Sequence, residues 1–259
     1  MPHSPLITFL IALTGLCLGS MVTLVSYRLP LGMPVTVARS QCMACKTPLG
    51  FKDLFPLLSW LTAKGKCRYC GAKVSARYPL IELATMTLTL AVYFQYGLTA
   101  QGIFLVILSV CLMILIVTDF EHYIIPDAIQ IVMAMTAVAY HLVTEQQPMA
   151  NVLAGGLAGL LTGVALSSGY RWLRKKEGLG MGDVKLLAVA GLWLGPLTLV
   201  PLFFFAGALG VVIALPWRVA GRGAVFPFGP AIAAALWALL VYSETGNVFW
   251  NLFAGGLHF

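Results

Sequence analysis

The chain is poor in charge: Lys, Arg, Asp and Glu make up 10% of its 259 residues, against roughly 25% in an ordinary soluble domain. That scarcity excludes water as its main solvent. Most of the chain also lacks basic residues. All sixteen lie in three segments: nine from Arg28 to Arg77, five from Arg171 to Lys185, and two at Arg218 and Arg222. None precedes the first apolar run, which therefore lacks the basic start of a removable signal peptide and reads as a retained helix. The net charge of +7 requires no nucleic acid, because membrane topology and anionic headgroups account for one basic face.

What the chain has is apolar runs: Met1–Tyr27, Leu83–Thr118, Ala128–Thr144, Gln146–Tyr170, Leu186–Trp217 and Gly223–Ser243. A span needs about 20 residues. The second run is too long for one span and is interrupted at Gln95-Tyr96-Gly97 and Gln101-Gly102, so it reads as a helical hairpin. The fifth breaks at Gly195-Pro196 into two short spans. In lipid the backbone must satisfy itself, which favours helices over any open sheet. The expected fold is thus an all-α polytopic membrane protein with a bundle of about eight transmembrane helices. Its expected parts are a first helix over residues 1–27, a polar cysteine loop over 28–77 and a seven-helix bundle over 78–259. The three basic segments are separated by even numbers of crossings and so share one face, which the positive-inside rule makes cytoplasmic.

The loop carries Cys42-x-x-Cys45 and, 21 residues on, Cys67-x-x-Cys70. Two such knuckles offer four sulfurs to one tetrahedral ion and leave no open position, the pattern of a structural zinc site. A pair of disulfides is the competing reading, disfavoured where thiols stay reduced. Cys17 and Cys111 lie in apolar runs with no partner at motif spacing and read as small hydrophobes.

Acids inside or bordering membrane spans are costly and point to function. Of the nine, Asp53, Glu121 and Glu177 read as solvated, and Glu145 and Glu244 fall on the outer side. Glu82 and Asp127 border the inner interface, where each could contact a basic peptide, cap a helix or pair locally. Asp119 ends one helix inside and Asp183 begins another there, after Gly180-Met181-Gly182. Topology therefore brings two carboxylates to one membrane depth. Such a pair can hydrolyse an amide, one drawing a proton from water while the other donates to the carbonyl. The glycines would admit a substrate backbone and unusual backbone angles. The bland alternative makes Asp183 a helix N-cap and Asp119 an interface acid.

At these residues the sequence resembles the bacterial type IV prepilin peptidases, membrane aspartic proteases with a G-x-G-D motif. The matching segments run in order: Gly19-Ser20, Tyr27-Arg28-Leu29-Pro30, both knuckles, Pro56-Leu57-Leu58-Ser59-Trp60, Arg77-Tyr78-Pro79-Leu80-Ile81-Glu82-Leu83, Asp119 ahead of Ile125-Pro126-Asp127, Gly180-Met181-Gly182-Asp183-Val184-Lys185, and Pro227-Phe228-Gly229-Pro230. The resemblance implies catalytic roles for Asp119 and Asp183, prepilin or pseudopilin substrates of a type IV pilus or type II secretion system, and a bacterial inner-membrane location. It also implies methylation of the new N-terminus with S-adenosylmethionine, at residues it does not specify. Departures are the first knuckle, Cys42-Met43-Ala44-Cys45, without the usual proline, Phe51 for a frequent tryptophan, and Thr23 for a frequent asparagine. Other readings are an ion transporter whose acids relay charge, a methyltransferase alone, and a preflagellin or signal-peptide peptidase, the last opposed by the cysteine loop.

Overall fold

The apolar runs fold as helices. A computed structural model describes residues 4–36, 39–175, 178–221 and 226–242; Glu177, Arg222, Glu244 and the Gly223 start of the last run lie outside them. In chain order the helices are α1 (Pro5–Arg28), α2 (Leu58–Thr62), α3 (Arg77–Tyr96), α4 (Ala100–His122), α5 (Asp127–Thr144), α6 (Met149–Arg174), α7 (Met181–Leu194), α8 (Leu199–Val219) and α9 (Gly229–Val241). Apart from α2 these are the eight expected helices, with the hairpin break before α4 and the Gly195 break after α7 where the sequence puts them. Among the described residues, extended pairing is limited to two isolated antiparallel bridges, Gln41 with Pro48 and Lys66 with Lys73.

Five helices, α1, α4, α5, α6 and α8, are long and apolar enough to cross a bilayer by length and composition, which makes this a multi-pass membrane protein. Helix α7, at 14 residues, reaches only about 21 Å. Helix α3 begins six residues before the expected Leu83 and so takes in Arg77 and Glu82. Those charges are met locally: Arg77 Nη2 donates to Ser26 Oγ at 2.8 Å and Glu82 Oε2 accepts the Leu57 N–H at 2.7 Å.

The chain divides into two compact units, residues 1–97 and 98–259. The first therefore includes α3, whereas the sequence reading placed a boundary at residue 77. Within it α1 packs on α3 through small residues. A Cβ on Gly15 would lie 2.7 Å from Met86 Cα, and one on Gly19 2.5 Å from Glu82 Cα, so only glycine permits this approach.

In the second unit α4 is the core helix: 67% of its apolar window is buried, against 28% for α5, α6 and α8. Helix α6 lies against α7 through Gly155, Gly159 and Gly163, spaced four apart on one face, with Gly191 opposite Gly155. Helix α5 is tied to α7 by Trp193, whose Nε1 donates to the Met133 carbonyl at 3.1 Å. Helix α9 is tied to α4 by Trp237 Nε1, which donates to Ser109 Oγ at 2.8 Å. Helix α4 ends at Tyr123, left-handed at φ 56°, and the extended Pro126 leads into α5. That turn carries Ile125 back past the end of α4.

Candidate active site

Asp119 occupies the last turn of α4 and is 5% exposed. Its Oδ2 accepts the backbone N–H of Gly229, the first residue of α9, at 3.0 Å. A Cβ on Gly229 would lie 2.7 Å from that oxygen and 2.9 Å from Ile125 Cδ1. Glycine is what lets the backbone donate here. Ile125 also reaches α7, where a Cβ on Gly182 would lie 3.0 Å from Ile125 Cβ. One isoleucine thus wedges between the glycine that binds Asp119 and the glycine that precedes Asp183.

Asp183 is the third residue of α7, and the helix N-cap is Gly180. Asp183 is thus not the N-cap itself, but its carboxyl accepts the Gly180 backbone N–H and so still serves the start of the helix. Gly180 has an ordinary φ of −66° and Gly182 is helical, so neither glycine supplies the unusual backbone angle expected of it. Gly182 makes room for Ile125 instead. The Asp119 and Asp183 carboxyls are close enough to act on each other electrostatically. Asp183 Oδ1 is buried with no hydrogen-bond partner in the structure, which is rare for a buried polar atom and calls for a functional or solvent explanation. Asp127 is not part of this pair: both its oxygens lie 2.8 Å from Lys185 Nζ in an exposed ion pair.

In the first unit the Sγ atoms of Cys42, Cys45, Cys67 and Cys70 lie within 4.8 Å of one another, and all four cysteines are free. Cys42 and Cys70 Sγ are 3.9 Å apart, far beyond a disulfide bond. A tetrahedron with metal–sulfur bonds of about 2.3 Å has edges of about 3.8 Å, so the set fits one ion. Both knuckles fold alike, with Cys42 N–H donating to Thr47 O and Cys67 N–H to Ala72 O, at 2.9 and 2.8 Å. The Thr47 hydroxyl beside Cys45 lowers that thiol to about 6, and the Cys70 and Tyr69 backbone N–H groups lower Cys67. Cys70 is pushed up to about 11: the Ala72 N–H favours its thiolate, but desolvation and the three neighbouring sulfurs outweigh it. Four sulfurs this close cannot all ionise unless a cation sits among them.

Asp53 belongs to this framework and is not the freely solvated acid the sequence suggested. Its side chain is 13% exposed, pairs with Arg68 at 3.0 Å and accepts from Tyr69 Oη and Gly50 N–H at 3.1 and 3.0 Å. Neither Gly229 nor Ile125 stood out as a site residue from sequence, although both lie in quoted segments, Pro227-Phe228-Gly229-Pro230 and Ile125-Pro126-Asp127.

Residues 13–96 match the Bacterial Peptidase A24 N-terminal domain and residues 106–215 match the Type IV leader peptidase family. A Neisseria gonorrhoeae protein named prepilin leader peptidase/N-methyltransferase is 32% identical over 93% of both chains. The chain belongs to the type IV leader peptidase family. Family members of the same printed name from Bacillus subtilis, 34% identical over 89% of this chain and 92% of that one, and from Klebsiella pneumoniae, 38% identical over 71% and 83%, agree. No solved structure matches. The two family segments fall one in each compact unit, the first ending in α3 and the second spanning α4 to α8.

Proposed function

We propose that this chain removes the leader peptide from type IV prepilins or type II secretion pseudopilins at the cytoplasmic face of a bacterial inner membrane, with Asp119 and Asp183 as the catalytic pair. The ionised carboxyl of the two takes a proton from water. The water oxygen adds to the scissile carbonyl, whose oxygen receives the proton of the neutral carboxyl, and the tetrahedral adduct collapses with a proton passed to the departing amine. The observation that supports this best is Asp183 Oδ1, buried without a partner beside a second carboxyl: a water or amide group there would supply the missing hydrogen bond. The basic segments between helices favour the cytoplasmic side.

Cys42, Cys45, Cys67 and Cys70 would hold a structural zinc ion, which contributes folding free energy and leaves no position for chemistry. Methylation of the new N-terminus by S-adenosylmethionine is supported by the relatives' names. Two of the structure's cavities offer that molecule no polar pocket beside the aspartates. The one along α8, between Gly207 and Arg218, has mainly apolar walls, and the other, around His141 and Gln147, lies at the far end of α5 from the aspartates. No methyl-transfer step is assigned to residues here.

Purified protein incubated with a prepilin and S-adenosylmethionine, followed by mass spectrometry, reads leader loss and methyl gain separately. Wild type should show both, while Asp119→Asn and Asp183→Asn should leave the leader attached. A variant that cuts normally removes its residue from the site.

A further inference from the structure

Between the two knuckles the chain exposes an apolar surface. Phe51 is 79% exposed, Leu58 56%, Leu61 52%, Leu54 44% and Phe55 41%, spread over the short 3-10 turn Phe51–Asp53, the bend after it and α2. Phe51 and Phe55 stack edge to face at 5.4 Å. Exposed Lys52, Lys64 and Lys66 flank them, and the segment's lone acid, Asp53, is engaged by Arg68.

The depth of this surface follows from contacts within the first unit. The Leu57 N–H donates to Glu82 Oε2 at 2.7 Å, and Glu82 Cα packs against Gly19 of α1. Gly19 lies about 14 Å along the helix from Arg28. Helix α1, 24 residues, is about 36 Å long against a hydrocarbon core of about 30 Å. Even if the whole surplus projected at this end, Glu82 Cα would lie about 7 Å inside the core, and its side chain, reaching outward, holds the Leu57 N–H near the level where the core begins. A loop of that depth with bare leucines and phenylalanines meets acyl chains, while its lysines reach headgroups.

The geometry points to residues 51–66 as an interfacial anchor that lays the cysteine loop on the inner leaflet, its occupant being a bilayer rich in anionic lipid. Apolar residues insert beside the acyl chains, and Lys52, Lys64 and Lys66 select negative headgroups. The inference rests on the cytoplasmic placement of the loop under the proposed function.

The test is photo-crosslinking of the full chain in vesicles. Phe51 or Leu58 is replaced by p-benzoylphenylalanine, with exposed Phe9 of α1 as the lipid-facing control. Both loop probes should form lipid adducts by mass spectrometry, several-fold more with phosphatidylglycerol vesicles than with phosphatidylcholine. Amide exchange over Leu58–Thr62 should also slow in the anionic vesicles. Adducts confined to residues 98–259 would mean that the chain covers its own patch, and adducts confined to added prepilin would make it a substrate surface. Either result, or equal exchange in the two lipids, overturns the anchor. Prepilin cleavage by the same vesicles is scored in parallel, so failure of the peptidase reading would be seen separately.

Discussion

Each compact unit buries an acid, and the two sites treat it differently. In the first, Glu82 is 6% exposed and accepts the Leu57 N–H at 2.7 Å, tying the loop to α3. In the second, Asp119 holds one bond, to Gly229, while Asp183 keeps an oxygen with none. A buried acid whose bond is made locks structure; one left short keeps an acceptor for a further group, the part the proposed function gives Asp183. The cysteine cluster extends the contrast: its four sulfurs lie within 4.8 Å of one another, a tetrahedral set that is closed in the coordination sense and leaves no position for a reactant.

Emptying the closed site should have the largest effect. Structural zinc contributes on the order of 10 kcal/mol of apparent binding free energy, which is also folding free energy. A strong chelator, or Cys67→Ser, should therefore release the metal and speed amide exchange across residues 42–74, while α7 exchanges as before. Loop exchange unchanged by metal loss would show that the cluster closes without an ion.

Asp119→Asn and Asp183→Asn should each slow cleavage by about 10²- to 10⁴-fold, the usual share of a general acid or base. Their thermal midpoints should stay level or rise, because an amide costs less to bury than a carboxylate. A large loss of stability would place that aspartate with Glu82, as structure. Conversely, Glu82→Leu strands the Leu57 N–H and should cost about 1–3 kcal/mol in denaturant unfolding, with cleavage per folded molecule within about twofold of wild type. A folded but inactive Glu82→Gln protein would erase the distinction between the acids.

The sequence carried the helix count and the hairpin and Gly195 breaks, because a helix in lipid leaves a long apolar record punctuated by glycine and polar residues. It carried the four-cysteine cluster because all four sulfurs sit in two local turns. Helix starts were less legible. Hydropathy stops at charge, yet α3 runs through Arg77 and Glu82 because Ser26 and Leu57 meet them, and α7 begins five residues before Leu186. The clasp around Asp119 was hidden for another reason. Gly229 is 110 residues away in the chain, and Ile125 looks like any apolar residue until its two glycine neighbours are seen.

The smallest effect lies between the two knuckles themselves. Each places the residue after its second cysteine in the left-handed region, Lys46 at φ 58° and Gly71 at φ 72°. Glycine enters that region freely, whereas a side chain there crowds the backbone at a cost of about 1–2 kcal/mol. The more flexible unfolded chain of a glycine variant offsets part of the gain. Lys46→Gly should therefore stabilise the protein by about 0.5–1 kcal/mol, and Gly71→Lys should destabilise it by a similar amount, both measured by denaturant unfolding of the metal-loaded form. A Lys46→Gly chain less stable than wild type would mean that the lysine's charge beside the four sulfurs outweighs the backbone strain it creates, so that the first knuckle depends on its side chain as well as on its turn.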